Sequence, residues 1–314
     1  MPKPMYANSY SNGKRGKGKM IFFIIVLIHL AAAGAYFYFK SDKVNPDENM
    51  EGLPELPVPA APAPSMPEAA PSSTPSTPEI RGILSDAQAA IDAGQLTDAQ
   101  ATLDRLVETH PDTEAIKLLG DVNMKLLRSS FMMPGKEYYS IQSGDYLQKI
   151  AKKFNTTVAL IKTMNGMETD TIRLGSRLLV FNSNFTIHVS KSRNELDLMN
   201  NGKLFKRYSV GTGKYGKTPV ASFTIVDKII EPPWTRPSDN KRIEYGDPEN
   251  LLGSRWMAIK SADRPELSGF GIHGTWARDS VGKQSSNGCI RMLNEEVEEL
   301  FNLIPRKTTV IITE

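Results

Sequence analysis

An uncharged run of twenty residues, Met20 to Phe39, constrains this chain most, because it is long enough to cross a membrane. At about 1.5 Å per helical residue, such a run spans a hydrocarbon core of roughly 30 Å. Residues 1–19 hold five basic residues and no acidic one. Positive charge before an apolar run keeps the N-terminus in the cytoplasm and sends the remainder outward. We therefore predict a basic cytoplasmic tail (1–19) and one transmembrane helix (20–39).

A cleaved signal peptide is the competing interpretation, since Ala33-Gly34-Ala35 is similar to a small-residue cleavage site. The apolar run continues past that site into Tyr36-Phe37-Tyr38-Phe39, which is typical of an aromatic belt at a membrane interface. This continuation favours an uncleaved anchor. Both interpretations place the bulk of the chain outside the cytoplasm.

The next segment, residues 40–80, is rich in proline. Ten prolines occur among alanine, serine, threonine and glutamate between residues 41 and 80. Such a composition cannot bury a core and favours extended polyproline II structure of about 3.1 Å per residue. We predict a disordered linker that holds the later domains away from the bilayer.

Residues 81–130 show apolar residues at helical spacing in three runs. Gly94 separates the first two runs, and Pro111 precedes the third. The pattern resembles one tetratricopeptide repeat and part of a second. We predict a small helical spacer or a docking site for a protein partner, with plain packing as the alternative.

Residues 137–181 read as a strand, a Gly-Asp turn, two short helices and a closing strand. This pattern closely resembles the lysin motif, a βααβ module of about forty residues. The resemblance implies a shallow groove for glycan that contains N-acetylglucosamine. Gly144, Asp145, Asn165 and Ile172 are its predicted contacts. The alternative is a stabilising module that binds nothing.

From residue 184 to 314 the chain is predicted to be mainly β. Asn201-Gly202 is a strong hairpin signal, and strands joined by short turns favour an antiparallel sheet over βαβ units. The long segment 231–252 is predicted to be a functional loop or lid. A helix beginning near Asn294, the predicted N-cap, and a final strand close the domain.

A lone cysteine and a histidine sixteen residues before it carry the candidate chemistry. Cys289 follows Ser286-Asn287-Gly288, and glycine lets backbone N–H groups approach a reacting carbonyl. A thiol at pH 7 is mostly protonated and needs a neighbouring imidazole or cation to react. His29, His110 and His188 lie in contexts that favour structural roles, so His273 is the candidate partner. We expect its imidazole to make the sulfur anionic.

The ordered set His273-Gly274-Thr275 and Ser285-Ser286-Asn287-Gly288-Cys289-Ile290-Arg291-Met292 resembles the signature of the L,D-transpeptidase catalytic domain, which remodels bacterial peptidoglycan. The resemblance implies that Cys289 attacks the stem peptide and that His273 is the general base. It implies that backbone N–H groups from Asn287 to Cys289, with Gly288 between them, hold the oxyanion. Many members carry histidine where this chain has Asn287, which can donate a hydrogen bond but cannot shuttle a proton.

The same resemblance implies a supporting role for Ser286 and places Arg291, Gly274 and Trp256 near the substrate. Arg291 is a candidate to orient a carboxylate by paired hydrogen bonds, with an internal salt bridge as its alternative. For Trp256, a core position is the favoured interpretation over a substrate contact.

We thus predict a multidomain chain anchored in the bacterial inner membrane, with its catalytic domain in the periplasm or cell wall space. Its implied partners are peptidoglycan stem peptides and glycan that contains N-acetylglucosamine. No metal, cofactor or nucleic-acid partner is expected, and the net charge of +3 says little about partners. Two alternatives stay open: an L,D-carboxypeptidase, in which water accepts the acyl group, and a non-catalytic envelope scaffold.

Overall fold

A computed structural model describes residues 77–182 and 184–314. The predicted tail and transmembrane helix, and the linker up to residue 76, lie outside the described residues. The last four residues assigned to the linker are wrong, because helix α1 already begins at Thr77. Over the two described ranges, none of the helices combines the length and the apolar character needed to span a bilayer.

Three helices precede the lysin motif, in agreement with the three helical runs of the sequence: α1 (Thr77–Asp92), α2 (Leu96–Thr109) and α3 (Thr113–Arg128). Gly94 ends the first helix with a φ of 76°, a left-handed conformation that glycine adopts without steric cost. The carboxylate of Asp112 caps α3 by accepting hydrogen bonds from the amides of Glu114 and Ala115.

The lysin motif has the predicted βααβ order: β1 (Lys136–Ser140), α4 (Leu147–Lys153), α5 (Val158–Met164) and β2 (Arg177–Phe181). The two strands pair antiparallel, with Tyr138 opposite Leu179. A small apolar core fills the module, formed by Ile141, Leu147, Ile150, Phe154, Ile161 and Val180. The predicted βααβ order of the lysin motif is confirmed.

The C-terminal domain is built on an eight-stranded sheet in the order β13-β11-β10-β7-β14-β3-β4-β5. Its strands are β3 (Phe185–Ser190), β4 (Glu195–Asn200), β5 (Lys203–Ser209), β7 (Ala221–Ile230), β10 (Arg255–Lys260), β11 (Gly271–Thr275), β13 (Ile290–Leu293) and β14 (Thr309–Thr313). Two short pairs lie beside it, β6 (Thr212–Gly213) with β12 (Gln284–Ser286) and β8 (Trp234–Thr235) with β9 (Arg242–Ile243).

The antiparallel prediction holds for most of this sheet but is wrong at two places. Strand β11 pairs parallel with β13, and β3 pairs parallel with β14. Helix α6 (Asn294–Leu303) lies between β13 and β14 in the chain. It carries the chain from the edge strand β13 back to β14 in the middle of the sheet. The crossover between the parallel neighbours β11 and β13 is formed by residues 276–289.

The helical segment packs on the catalytic domain, where the sequence suggested a spacer. The buried Asn123 of α3 donates a hydrogen bond of 2.8 Å to the carbonyl oxygen of Phe205 on β5. The lysin motif also docks, because the Thr157 hydroxyl donates to the carbonyl oxygen of Asn302. Buried apolar side chains of α1 to α3 form one continuous cluster with those of the sheet. The helices therefore cover β5, which would otherwise be an open sheet edge.

Candidate active site

Two neighbouring strands bring the candidate cysteine and histidine to one face of the sheet. In the parallel pair β11–β13, His273 lies opposite Arg291. Side chains opposite each other share a face, and so do side chains two residues apart in a strand. Cys289 immediately precedes β13 and stands two residues before Arg291, so it falls on the face of His273. All three residues line one cavity of about 720 Å³.

The turn that presents Cys289 is held by hydrogen bonds on both sides. The Ser286 hydroxyl accepts from the Gly288 amide at 3.0 Å and donates to the Cys289 carbonyl oxygen at 2.6 Å. From the other side, the Thr218 hydroxyl donates to the Gly288 carbonyl oxygen at 2.8 Å. The structure thus places the Ser286 hydroxyl where it holds the turn.

Gly288 cannot be replaced without strain, since its φ is 130°. A Cβ added there would lie 2.8 Å from the Phe270 ring, a distance that forces a shift. Its amide donates to the Ser286 hydroxyl, so in this structure it is not free for the oxyanion contact that the sequence predicts. The side chain of Asn287 is exposed at the cavity wall.

His273 is 3% exposed, and its Nδ1 lies 2.6 Å from the carbonyl oxygen of Gly274. A carbonyl only accepts, so Nδ1 carries the proton of the neutral ring and Nε2 is left as the basic nitrogen. Burial lowers the pKa of His273 to about 4, although the Gly274 carbonyl opposes that shift. The ring is therefore neutral at physiological pH.

Burial also raises the pKa of the Cys289 thiol, while the Gly271 amide and the Arg291 charge work in the opposite direction. A lowered imidazole pKa and a raised thiol pKa together favour a neutral pair at rest. The structure thus does not favour a thiolate in the resting, free protein.

The tryptophan predicted near the substrate forms a wall of the cavity and supports the imidazole. Trp256 on β10 lies opposite His273, and the two ring centroids are 5.7 Å apart. Its indole fills the space beside Gly271, where an added Cβ would come within 2.5 Å. Trp256 is only partly buried and lines the cavity.

Gly274 does not line the cavity, and its predicted substrate contact is not supported. It is buried, and a Cβ there would lie 2.1 Å from Oδ1 of Asn294. The same Oδ1 accepts from the Ser254 amide at 3.0 Å, so Asn294 does not cap α6 as predicted. Gly274 serves the site through its carbonyl oxygen, which orients His273.

Arg291 brings an unsatisfied cation to the cavity. Its Nε is buried and has no hydrogen-bond partner among the described residues. Burial lowers the pKa of its guanidinium from the ordinary value. The predicted alternative, an internal salt bridge, is absent from the described part of the chain, because no carboxylate lies within ion-pair distance there. A buried donor without a partner costs free energy that an incoming carboxylate can recover.

The segment 231–252 forms the outer wall of the cavity, in keeping with the predicted lid. Its strands β8 and β9 make a short hairpin, and the buried Asn250 holds its base. The Asn250 side-chain amide donates to the carbonyl oxygens of Pro232 and Glu244 at 3.0 and 3.2 Å. Trp234 and Arg236 from this hairpin line the cavity but were not identified from the sequence. Only the length of the segment pointed to them.

In the lysin motif, two of the four predicted glycan contacts are occupied internally. The Asp145 carboxylate accepts from the Tyr139 hydroxyl at 2.7 Å and from the Gln142 amide at 2.9 Å, and the Tyr139 bond holds the Asp145 pKa down to about 2. The Asn165 side chain donates to two carbonyl oxygens and accepts from the Leu179 amide. Gly144 is exposed with a φ of 77°, and Ile172 is half-buried against the module's core.

Comparison with protein families identifies both modules. Residues 184–312 match the L,D-transpeptidase catalytic domain, and residues 139–181 match the LysM domain. The chain is 43% identical over 127 residues to YqjB of Bacillus subtilis strain 168, named as an L,D-transpeptidase, covering 40% of this chain and 69% of the relative. It is 30% identical over 183 residues to YkuD of Bacillus licheniformis, also named as an L,D-transpeptidase, covering 56% of this chain and 98% of the relative.

Among solved structures, an L,D-transpeptidase from Mycobacterium tuberculosis H37Rv is similar at 20% identity. The match covers 45% of this chain and 63% of that chain, with a TM-score of 0.34.

Proposed function

Because the chain belongs to the L,D-transpeptidase family, we propose that it rejoins peptidoglycan stem peptides with Cys289 as nucleophile and His273 as general base. The observation that carries this proposal is the placement of both side chains on one face of β11–β13, in the wall of one cavity. A lone thiol beside a neutral, buried imidazole is the arrangement of a nucleophile and its base.

Acylation begins from the neutral pair. Nε2 of His273 takes the thiol proton as the sulfur attacks the carbonyl between the L-centre of a diamino acid and a terminal D-alanine. Donors at the Cys289 turn stabilise the resulting oxyanion. The C–N bond then breaks, D-alanine leaves with the proton from the imidazolium, and a thioester to Cys289 remains.

Arg291 supplies the charge that fixes the donor stem. Its guanidinium lies beside His273 and has a buried Nε without a partner among the described residues. A carboxylate of the stem satisfies this donor and orients the scissile bond toward the sulfur. Trp256 and the hairpin 231–252 shield the reacting groups from water.

The lysin motif holds the glycan strand near this site. Asp145 and Asn165 stabilise the module, so glycan contacts are assigned to its exposed surface around Gly144 and Leu174, the latter 72% exposed. Weak binding by a tethered module raises the local concentration of stem peptides at the catalytic domain. The charge and hydropathy of residues 1–39 support an anchor in the cytoplasmic membrane, with the enzyme outside.

Incubation of the full-length protein with disaccharide tetrapeptide tests the activity. Transpeptidation yields cross-linked dimer together with free D-alanine, and Cys289→Ala yields neither. Tripeptide without any dimer would instead identify an L,D-carboxypeptidase. Full complementation of a deletion strain by Cys289→Ala would identify a non-catalytic scaffold.

A further inference from the structure

The segment Lys214–Lys217, here called the 214–217 loop, presents a strained and exposed aromatic residue. Tyr215 is 92% exposed and has a φ of 53°. A bulky side chain in the left-handed region costs free energy that no burial of this ring offsets. Such strain is concentrated at functional sites, so the position invites a functional explanation.

The 214–217 loop is tied directly to the turn that carries the nucleophile. Gly213, which precedes the loop, pairs with Ser286 in the β6–β12 ladder. The Thr218 hydroxyl, which follows it, accepts from the Gly213 amide at 2.8 Å and donates to the Gly288 carbonyl oxygen at 2.8 Å. A Cβ on Gly213 would lie only 3.0 Å from Cα of Gly288. The loop is therefore held at a fixed position relative to Cys289.

This loop stands apart from the cavity assigned to the donor stem. No residue from 211 to 220 lines that cavity, whose walls come from β10, β11, the turn at Cys289 and the hairpin 231–252. The turn at Cys289 thus has the donor cavity on one side and the 214–217 loop on another. A transferase with a covalent intermediate needs a second approach to the thioester, because the acyl group fills the first.

Along its own stretch of the chain, the loop carries only positive charge. Residues 198–226 contain no aspartate or glutamate. The ammonium groups of Lys214 and Lys217 are exposed, and neither is in an ion pair within residues 77–182 and 184–314. Exposed, unpaired cations beside an aromatic ring favour a ligand with carboxylates and an apolar stem.

We propose that the 214–217 loop binds the acyl acceptor, a primary amine carried on a peptide with free carboxylates. This inference rests on the proposed function, since it requires a thioester at Cys289. Lys214 and Lys217 pair with the carboxylates of the acceptor, and the Tyr215 ring packs on its apolar stem. The exposed position of the ring, which the strained backbone maintains, keeps it available to the incoming chain.

Transfer of the acyl group from Cys289 to the amine needs no other reactant. The neutral amine of the acceptor attacks the thioester carbonyl, a new amide C–N bond forms, and the C–S bond breaks. The amine loses one proton to His273, which returns it to the departing thiolate. The free thiol and the neutral imidazole are regenerated.

The test separates acylation from transfer in the full-length protein. With disaccharide tetrapeptide as donor, acyl-enzyme formation is followed by mass spectrometry, and the thioester then partitions between water and an added acceptor. The acceptor probes are L-lysyl-D-alanine and its C-terminal amide, which differ only in the carboxylate. The measured quantity is the ratio of aminolysis to hydrolysis at each acceptor concentration.

Tyr215→Gly removes the ring and also relieves the left-handed strain, so misfolding cannot explain a loss. We expect its aminolysis ratio to fall about tenfold with an unchanged acylation rate, a loss of one well-placed contact. The double variant Lys214→Gln/Lys217→Gln should lose the preference for the free carboxylate over the amide. Lys125→Gln on α3, which neutralises an exposed lysine far from the turn, is the matched control.

Normal acylation with an unchanged aminolysis ratio in both variants would overturn the inference and leave the proposed function standing. A wild-type protein that forms no acyl-enzyme would overturn the proposed function and the inference with it. Equal aminolysis of the free acid and the amide by wild-type protein would refute the role of the lysines.

Discussion

In the lysin motif, the Asn165 side chain makes three hydrogen bonds to backbone groups, and Asp145 is bonded on both oxygens. In the active-site cleft, the Nε of Arg291 is buried without a partner among the described residues, and burial holds His273 neutral. Both sets of residues stand out in the sequence. In the module these polar side chains are bonded internally, whereas in the cleft one buried donor lacks a partner among the described residues and one buried base is held neutral.

Polar residues of the first kind stabilise the fold. Polar residues of the second kind lower its stability but are available for binding or catalysis. A satisfied internal bond contributes about 1 kcal/mol to stability, whereas an unsatisfied buried group subtracts about 1–3 kcal/mol. Substitutions in the module should therefore lower stability more than activity, and substitutions in the cleft should lower activity more than stability.

Removing the sulfur should have the largest effect on activity and almost none on stability. Cys289→Ala is expected to lower the transfer rate by about 10⁴-fold or more, because no other group can form the thioester. Its melting temperature should match the wild type, since the partly exposed thiol donates only a weak contact of 3.8 Å to the Gly269 carbonyl oxygen. Rate assays and calorimetry check both halves. A large loss of stability in Cys289→Ala would show that Cys289 has a structural role, contrary to the prediction.

His273→Gln should have the next largest effect. We expect it to lower the transfer rate by roughly 10²–10⁴-fold, the usual contribution of a general base. Glutamine keeps a donor toward the Gly274 carbonyl but offers no basic nitrogen. Because the thiol pKa is raised, the residual activity should climb with pH as the thiolate forms without help. A flat pH profile in this variant would contradict a proton transfer to the imidazole.

Acid should destabilise the wild type through the same histidine. The folded state holds the His273 pKa at about 4, below the ordinary value of 6.5, so the unfolded chain binds the extra proton between these values. The free energy of unfolding should therefore fall by on the order of 3 kcal/mol as pH drops from 6.5 to 4. Denaturant titrations of wild type and His273→Gln isolate this contribution. Identical pH dependence in the two proteins would show that His273 is not buried as a neutral base.

Asn165→Ala should give the smallest effect and the opposite pattern. The substitution frees the Leu179 amide and two carbonyl oxygens, so we expect a loss of about 1–3 kcal/mol in stability. The transfer rate on a soluble tetrapeptide should stay at the wild-type level, because the side chain holds the module and touches no donor. Asn182→Ala, which changes an exposed asparagine just beyond β2, is the control. If the variant lost glycan binding while its stability was unchanged, Asn165 would be a glycan contact and not a structural residue.

The elements of the lysin motif and the motif around Cys289 could be predicted from the sequence, because their informative residues lie close together in the chain. The βααβ order, the turn at Asn201-Gly202 and the motif around Cys289 are set by local spacing and turn chemistry. Their prediction needed no knowledge of distant partners.

Contacts between distant segments could not be predicted in this way. Asn123 and Phe205 are 82 residues apart, so the docking of α3 on the sheet left no local pattern. The parallel pairing of β3 with β14 likewise joins distant segments, because it sets Thr186 opposite Thr309. The internal bonds of Asn165 were missed because an asparagine near a predicted groove looks the same whether it binds backbone or ligand.

The most direct test of the central claim is intact-protein and peptide mass spectrometry of the full-length enzyme mixed with disaccharide tetrapeptide. The account predicts a transient adduct equal to the donor less D-alanine, located on the peptide that contains Cys289 and slower to form in His273→Gln. Turnover without any adduct on that peptide, or turnover by Cys289→Ala, would contradict it.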